Sequence, residues 1–540
     1  MARTFNLADL FELVAAAIPE REALTCGSRR LSYRELDERA TCLADALERE
    51  LGVGPGDHIG LDLYNCCEYV EASFACFKLR AVPINVNYRY VAAELETLFA
   101  NADLVGVMCD ERTEGAVRAA GGDRWIVQTG EAYEQLVAGG SPSRSFPERS
   151  GDDHYVLYTG GTTGMPRGVV WRHEDIFFAA LGSGNPGGPP ITHPNEIAGH
   201  ARTNRVQRLA PYLKDGDRGC EEFVAMSVGP LMHASGQWMA YGTLLGGGRA
   251  VLYDEPHLDL ARVLDLVERE RVVMLSLIGD SAARPLVQVL EASPGRWDTS
   301  SLRMLGSGGS ILRAEMRERL LAALPTVLAI NEAVGSTEAP VQALATALRG
   351  APTIQSLAFT AREGITVVLD DELRPVEPGS GVEGWLAAGG RVPIGYYNDP
   401  EKTARTFVTV DGQRYSIPGD RALVEADGTI RLLGRGALCI NTGGEKVYPE
   451  EVEAVLQEHP AIDDAVVVGL PDERWGQRVA AVVASRDPIT LTEVQAHCRI
   501  SLARYKVPRT MALVDRVERN PAGKADYRWA VQVASADDTK

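Results

Sequence analysis

HIGLDLYNCCEYVEASFACFKLRAVPINVN, residues 58–87, sets the architecture. HIGLDLYN (58–65) alternates like a strand, EYVEASFACFKL (68–79) repeats apolar residues at helical period, and VPINVN (82–87) is strand-like again. Strand, helix and strand packed this closely predict a βαβ unit, and such a crossover joins parallel strands. Upstream, Ser32 stands three residues before Glu35, the spacing of a capping box. Leu36, Ala40, Leu43 and Leu47 follow at helical spacing, and Gly52 supplies a stop. Nearer the start, the apolar stretch from Leu10 to Ile18 is broken by Glu12 and preceded by Asp9, so it reads as an amphipathic helix and not as a secretion signal.

Downstream the alternation recurs around 225–330. AMSVGPL and VVMLSLI (272–278) read as strands, with the LLGGG turn and a helix from Leu258 to Arg271 between them. The stretch from Gly182 to Gly219 holds NPGGPP and mixed charges without a period, which predicts a long surface loop. From Thr353 to Gly412, short strands with Gly and Pro turns predict an antiparallel β subdomain. After Gly434, EEVEAVLQEH (450–459) and LTEVQAHCRISLA (491–503) read as helices. AVVVGL (465–470), VAAVVAS (479–485) and TMALVD (510–515) read as strands of a separate α+β unit.

Composition narrows the function. The 540 residues carry 55 Lys and Arg against 74 Asp and Glu, a net charge of −19, which disfavours broad nucleic-acid binding. A small anionic ligand stays open, because local N–H groups and cations can hold one against the global field. The nine cysteines are scattered without a CxxC or Cys/His cluster, so reduced thiols and a cytoplasmic location are expected. No run of apolar residues is long enough to span a membrane.

The sharpest chemical signal is YTGGTTGMPRGV (158–169). Glycines at 160, 161 and 164 among Thr159, Thr162 and Thr163 suit neither a helix nor a packed strand. Small residues let backbone N–H groups approach an anion, and the hydroxyls can donate as well. Taken alone, the string is either a phosphate-binding loop or an ordinary flexible turn. It is not the Walker pattern, because no Gly-Lys-Ser/Thr follows at the required spacing.

This string resembles the phosphate loop of the adenylate-forming superfamily, which includes acyl-CoA synthetases, adenylation domains and luciferases. The resemblance extends in order along the chain, through PLMHASG (230–236), GSGGS (306–310), GSTE (335–338), YSIPGD (415–420), LLGRG (432–436) and NPAGKADYRWA (520–530). It implies an α/β protein with a large N-terminal domain of parallel-sheet subdomains plus a β subdomain (1–434). A hinge at 435–437, with Ala437 at its pivot, would join it to a small mobile α+β lid (438–540). It implies an enzyme that uses ATP, Mg²⁺ and coenzyme A. Thr159, Gly160, Gly161, Thr162, Thr163, Gly164, Arg167 and Thr337 would hold the phosphates. Gly308, Gly309, Ser310, Asp420 and Arg435 would hold adenine and ribose.

The resemblance makes Glu338 the Mg²⁺ ligand, His233 the residue that orients the carboxylate or gates the site, and Lys524 the essential cation between substrate carboxylate and α-phosphate. Without it, Glu338 and Lys524 would read as surface residues, His233 as a core side chain and Asp420 as a turn cap. The acyl or aromatic pocket would be lined around His233, Trp238, Gly306 and Val334. The resemblance also implies that the lid rotates between two half-reactions. The segment INTGGEKVYPEEVE (440–453) would face the active site only in the second.

Within the superfamily, GVVWR (168–172), INTGGEKVYPEEVE and YKVPR (505–509) look most like actinobacterial acyl-CoA synthetases of lipid metabolism, acting on steroid side chains and other bulky or fatty acids. No carrier-protein domain follows Lys524, so a free thiol is the expected acceptor; a homo-oligomer is compatible with the pattern. Four departures stand out. Arg167 replaces the usual lysine, Glu332-Ala333 replaces an acid and an aromatic residue, Ala339-Pro340 follows Glu338 in place of Thr-Gly, and Ala437 holds the hinge position. They are either neutral drift or the mark of a relative that adenylates nitrite and joins it to an aromatic amine, giving a diazo product.

Overall fold

A computed structural model describes residues 3–159, 166–203, 222–309, 312, 314–351, 359–435, 440–447, 449–518 and 527–537. The 58–87 segment forms a strand His58–Asp62, a helix Cys67–Leu79 and a strand Val82–Asn85, and the two strands are parallel. Alternation ordinarily marks a strand with one wet face, yet all five residues of His58–Asp62 are buried. Apolar clusters lie on both faces of this sheet, with Ile59 and Leu61 in one and Ile84 and Val107 in another. A parallel sheet covered on both sides loses its polar face.

His58–Asp62 lies inside a sheet ordered Gly395–Tyr396, Arg167–Arg172, His154–Thr159, Val82–Asn85, His58–Asp62, Leu104–Cys109, Trp125–Gln128. A second sheet runs Thr360–Ala361, Ala339–Leu348, Ala329–Ser336, Met304–Gly308, Met274–Leu277, Val224–Ser227, Arg249–Leu252, Glu22–Cys26, Arg29–Ser32. It is parallel from Ala329–Ser336 to Glu22–Cys26 and antiparallel at both edges. The helix Tyr33–Leu51 begins at the reciprocal Ser32–Glu35 capping box and ends at Gly52 in the left-handed region, φ 69°. Its buried Leu36 and Leu43 join Phe11, Phe74 and Phe77 in the largest apolar cluster. Each such side chain contributes roughly 1.5–3 kcal/mol by leaving water.

The expected loop from Gly182 to Gly219 is corrected in part: Glu196–Thr203 is a helix. Ile197 and Ala201, one turn apart, are both buried, and the helix packs against the N-terminal helix Leu7–Ala17. Two apolar anchors in eight residues are too few to register as a period, so tertiary packing decides this element. Residues 204–219 lie outside the described residues.

From Thr366 onward the β unit is antiparallel, comprising Thr366–Leu369, Gly384–Ala388, Phe407–Val410, Gln413–Ser416, Asp420–Val424 and Ile430–Arg435. The smaller C-terminal domain has its own sheet, ordered Glu445–Val447, Ile440–Thr442, Gly476–Ser485, Ile462–Asp472, with Thr510–Val514 parallel to Gly476–Ser485. Helices Pro449–Gln457, Leu491–Ser501 and Tyr527–Asp537 accompany it. Among the described residues no helix is long and apolar enough to cross a membrane.

Candidate active site

Strand ends and tight turns bring the segments of Thr159, Arg167, Thr337, Glu338 and His233 together through hydrogen bonds, while Asp420 and Arg435 pair with each other on the β unit. Thr159 closes the strand His154–Thr159 and pairs antiparallel with Arg167, so the glycine-rich string joins two neighbouring strands. Residues 160–165, which include Gly160, Gly161, Thr162, Thr163 and Gly164, lie outside the described residues. Asn85, at the carboxyl end of its parallel strand, ties this hairpin to the histidine segment. Its amide donates to the carbonyls of Tyr158 (2.9 Å) and Met232 (2.7 Å), and its oxygen accepts from the Tyr158 N–H at 2.7 Å. Asn65 adds a second tie, accepting from the Leu231 N–H at 2.8 Å. Neither asparagine stood out in the sequence, because these bonds join residues far apart along the chain.

Thr337 and Glu338 form the two-residue turn between Ala329–Ser336 and Ala339–Leu348. A Cβ on the preceding Gly335 would lie 2.1 Å from the Pro340 carbonyl oxygen, so only glycine fits. The Trp171 indole N–H donates to the Thr337 carbonyl at 3.1 Å. The Tyr396 hydroxyl donates to the Glu338 carboxylate at 2.7 Å, and Tyr396 pairs with Val169 on the glycine-loop hairpin. Glu338 is therefore a positioned hard-oxygen donor. Among the described residues no cluster of three metal-binding side chains occurs. One carboxylate completed by nucleotide phosphates is a usual Mg²⁺ arrangement, and the donor set here fits it.

Gly306 and Gly308 lie on the strand Met304–Gly308, followed by Gly309 at φ 76°; Ser310 lies outside the described residues. Asp420 opens its strand after Gly419, φ 105°, and stands in register opposite Arg435. Trp238 sits in the helix Ala234–Leu245, packed at the edge of the main cluster. Val334 packs against the apolar cluster of the β unit. Ala437 and Lys524 lie outside the described residues. Two departures have local partners. Arg167 reaches Asp399 at 3.2 Å, and buried Glu332 pairs with Arg317 at 3.1 Å.

The C-terminal domain reaches the histidine segment. Its hairpin places the Glu445 carboxylate 3.4 Å from His233 Nε2 and in an ion pair with Arg89. Gly444, φ 87°, lies against Ile278 beyond the end of the strand Met274–Leu277. His233 stands at the N-cap position of the helix Ala234–Leu245, with no capping bond from its ring. A third of its side chain meets solvent, yet burial, reinforced by the cations of Arg89 and Lys446, pushes its pKa down to about 3. The imidazole is neutral at physiological pH, and its contact with Glu445 is a hydrogen bond.

Lys506 makes a second contact between domains. It is almost fully buried, reaches Glu94 of the large domain at 2.8 Å, and pairs with Glu451 of its own domain. Its ammonium lies over the Tyr90 ring at 4.7 Å. Burial alone would lower its pKa, but Tyr90, Glu451 and Glu94 hold it above the usual lysine range. Nearby, Asn87 donates to the Tyr505 hydroxyl at 3.2 Å.

The AMP-binding enzyme family matches residues 11–397, and the AMP-binding enzyme C-terminal domain matches 451–524. The chain is 41% identical to a 3-oxocholest-4-en-26-oate–CoA ligase of Rhodococcus rhodochrous, over 97% of this chain and 95% of that one. It is 40% identical to a medium/long-chain-fatty-acid–CoA/3-oxocholest-4-en-26-oate–CoA ligase of Mycobacterium marinum, over 99% and 98%. Its fold matches o-succinylbenzoate CoA synthetase from Bacillus subtilis with a TM-score of 0.77 at 21% identity, covering 97% of this chain and 98% of that one. The protein belongs to the AMP-binding enzyme family.

Proposed function

We propose that the protein is an ATP-dependent acid–CoA ligase acting in the cytoplasm on fatty, steroid-side-chain or other bulky carboxylic acids. The carboxylate oxygen attacks the α-phosphorus of ATP and expels pyrophosphate, giving an acyl-adenylate. The coenzyme A thiol then attacks the acyl carbon, expels AMP and loses its proton. The observation that carries this reading is the convergence of the glycine-loop hairpin, the Thr337–Glu338 turn and His233 under a hairpin of the C-terminal domain. Near-full-length similarity to named acid–CoA ligases supports it and suggests the acid class. The described cysteines are all free, in keeping with a reducing compartment.

In this reading the first step is mostly positioning and charge neutralisation. Thr159, Arg167, Thr337 and residues 160–164 cradle the phosphates, while Gly308, Gly309, Ser310, Asp420 and Arg435 hold the nucleoside. Mg²⁺ on Glu338 and the phosphates would offset their negative charge. His233 and Trp238, with Gly306 and Val334, border the acid near its carboxylate. Residues 435–437 act as the hinge. The observed orientation, with Glu445 against His233, suits the thiol-transfer step.

Pyrophosphate release over a panel of carboxylic acids, with and without coenzyme A, tests the reading. Acid-dependent pyrophosphate and coenzyme A-dependent AMP are expected. Turnover only with nitrite and an aromatic amine would overturn it. Within the glycine loop, close backbone approach to phosphate leaves no room for a β-branched side chain. A folded Gly161→Val variant should therefore lose ATP binding and turnover, and unchanged ATP affinity by calorimetry would remove the loop from the site.

A further inference from the structure

The short strand Gly395–Tyr396 pairs with the strand Arg167–Arg172 of the glycine-loop hairpin, and the next N–H, of Tyr397, donates to the Gly168 carbonyl at 2.7 Å. Asn398, at φ 54°, then turns the chain, and its amide is tied to the Asn101 carbonyl and the Asp103 carboxylate. The turn delivers Asp399 to Arg167. One Asp399 carboxylate oxygen accepts from the Arg167 Nε at 3.2 Å. The other accepts from the Lys402 N–H at 2.9 Å and so caps the helix Pro400–Thr406. The same segment also holds the Glu338 carboxylate, through the Tyr396 hydroxyl.

Two cations meet at this carboxylate. Lys402 is half-buried. Burial, together with the guanidinium groups of Arg167 and Arg405, holds its pKa below the usual lysine range against the pull of Glu338 and Asp399. Arg167 and Lys402 therefore repel each other close to Glu338, and without nucleotide an anion is needed to keep them together. Asp399 supplies that charge. The arginine matters as well, since Arg167 stands where the family pattern has lysine. An ammonium is a point charge, whereas a guanidinium is a rigid plane, so a bond at Nε fixes where both Nη groups lie.

We propose that Asp399 is a positioning residue for ATP, holding the Arg167 guanidinium in the plane that meets the phosphates and gathering Lys402 beside it as a second cation. The inference rests on the placement of the phosphates in the acid–CoA ligase reading. It adds the residue that prepares the phosphate site before ATP arrives.

The test uses the full chain carrying Asp399→Asn. Asparagine caps a helix about as well as aspartate, so the melting temperature should stay the same while the charge that holds Arg167 is lost. MgATP affinity by calorimetry, and kcat/KM for MgATP in pyrophosphate release, should both fall roughly 10-fold, the scale of losing a hydrogen bond between charged groups. Thioester formation from preformed acyl-adenylate and coenzyme A involves no pyrophosphate group and should stay within about twofold. Arg167→Ala should weaken ATP binding at least as much. Adding Asp399→Asn to it should cost less than about a further twofold, because the two residues act as one unit. Native ATP affinity in Asp399→Asn would overturn the proposal, as would tighter binding, which would mean that Asp399 only repels the phosphates. Losses that multiply in the double variant would overturn it too, as would equal slowing of both half-reactions, the mark of a purely structural role. A native protein that binds MgATP yet activates no acid brings down the ligase reading, while the ATP affinities of these variants still decide the role of Asp399.

Discussion

A Lys524→Ala variant is expected to fold and bind ATP, yet release pyrophosphate about 10²–10³-fold more slowly, the loss typical of one preorganised charge contact. The first half-reaction brings a carboxylate against an α-phosphate, and two anions approach only if a cation spans them. Lys524 is assigned that place through the motif NPAGKADYRWA, since it lies outside the described residues. The same variant, given preformed acyl-adenylate and coenzyme A, should make thioester at close to the native rate. The anhydride bond then already exists, and the hairpin carrying Glu445 lies beside His233. Quenched-flow measurement of each half-reaction separates the two. Equal damage to both, or intact adenylation, would remove Lys524 from the electrostatic role.

Much of the fold was legible because its determinants are local. The 58–87 segment carries its period within itself, and Ser32 with Glu35 announces a helix start that the structure reproduces as a capping box. The steric need for Gly335 was not legible, since the Pro340 carbonyl that leaves no space for a Cβ is brought to it only by the turn. The ties that hold the site together were not legible. Asn85 joins Tyr158 to Met232, and Arg89 meets Glu445, through contacts between residues from 73 to several hundred positions apart. Nothing in the neighbouring sequence marks either partner. Glu332 was visible in the sequence but its partner was not. It stood out as a departure from the family pattern, and the structure gives it a local partner, buried Arg317, while burial holds its pKa above the usual carboxylate range.

Lys506 offers the second large effect, because its burial depends on how the two domains meet. In the observed orientation its ammonium lies between Glu94 of the large domain and Glu451 of the small one. Lys506→Met leaves both carboxylates in a poorly solvated gap with no counter-charge. Removing one partner of a buried ionic pair typically costs about 3–5 kcal/mol, and 1.4 kcal/mol is about tenfold in an equilibrium constant. If this orientation serves thiol transfer, its population falls, and thioester formation from preformed acyl-adenylate should slow by roughly 10²–10³-fold. Pyrophosphate release, which uses a different orientation in the proposed cycle, should change by less than about threefold. Glu94→Gln separates the interface from the internal stability of the small domain, since the Lys506–Glu451 pair survives it. It should slow the same half-reaction by a smaller factor, with the small domain's melting transition unchanged. Equal slowing of both half-reactions by Lys506→Met, or a Glu94→Gln variant with native thioester kinetics, would mean that this buried lysine stabilises the C-terminal domain without selecting its orientation.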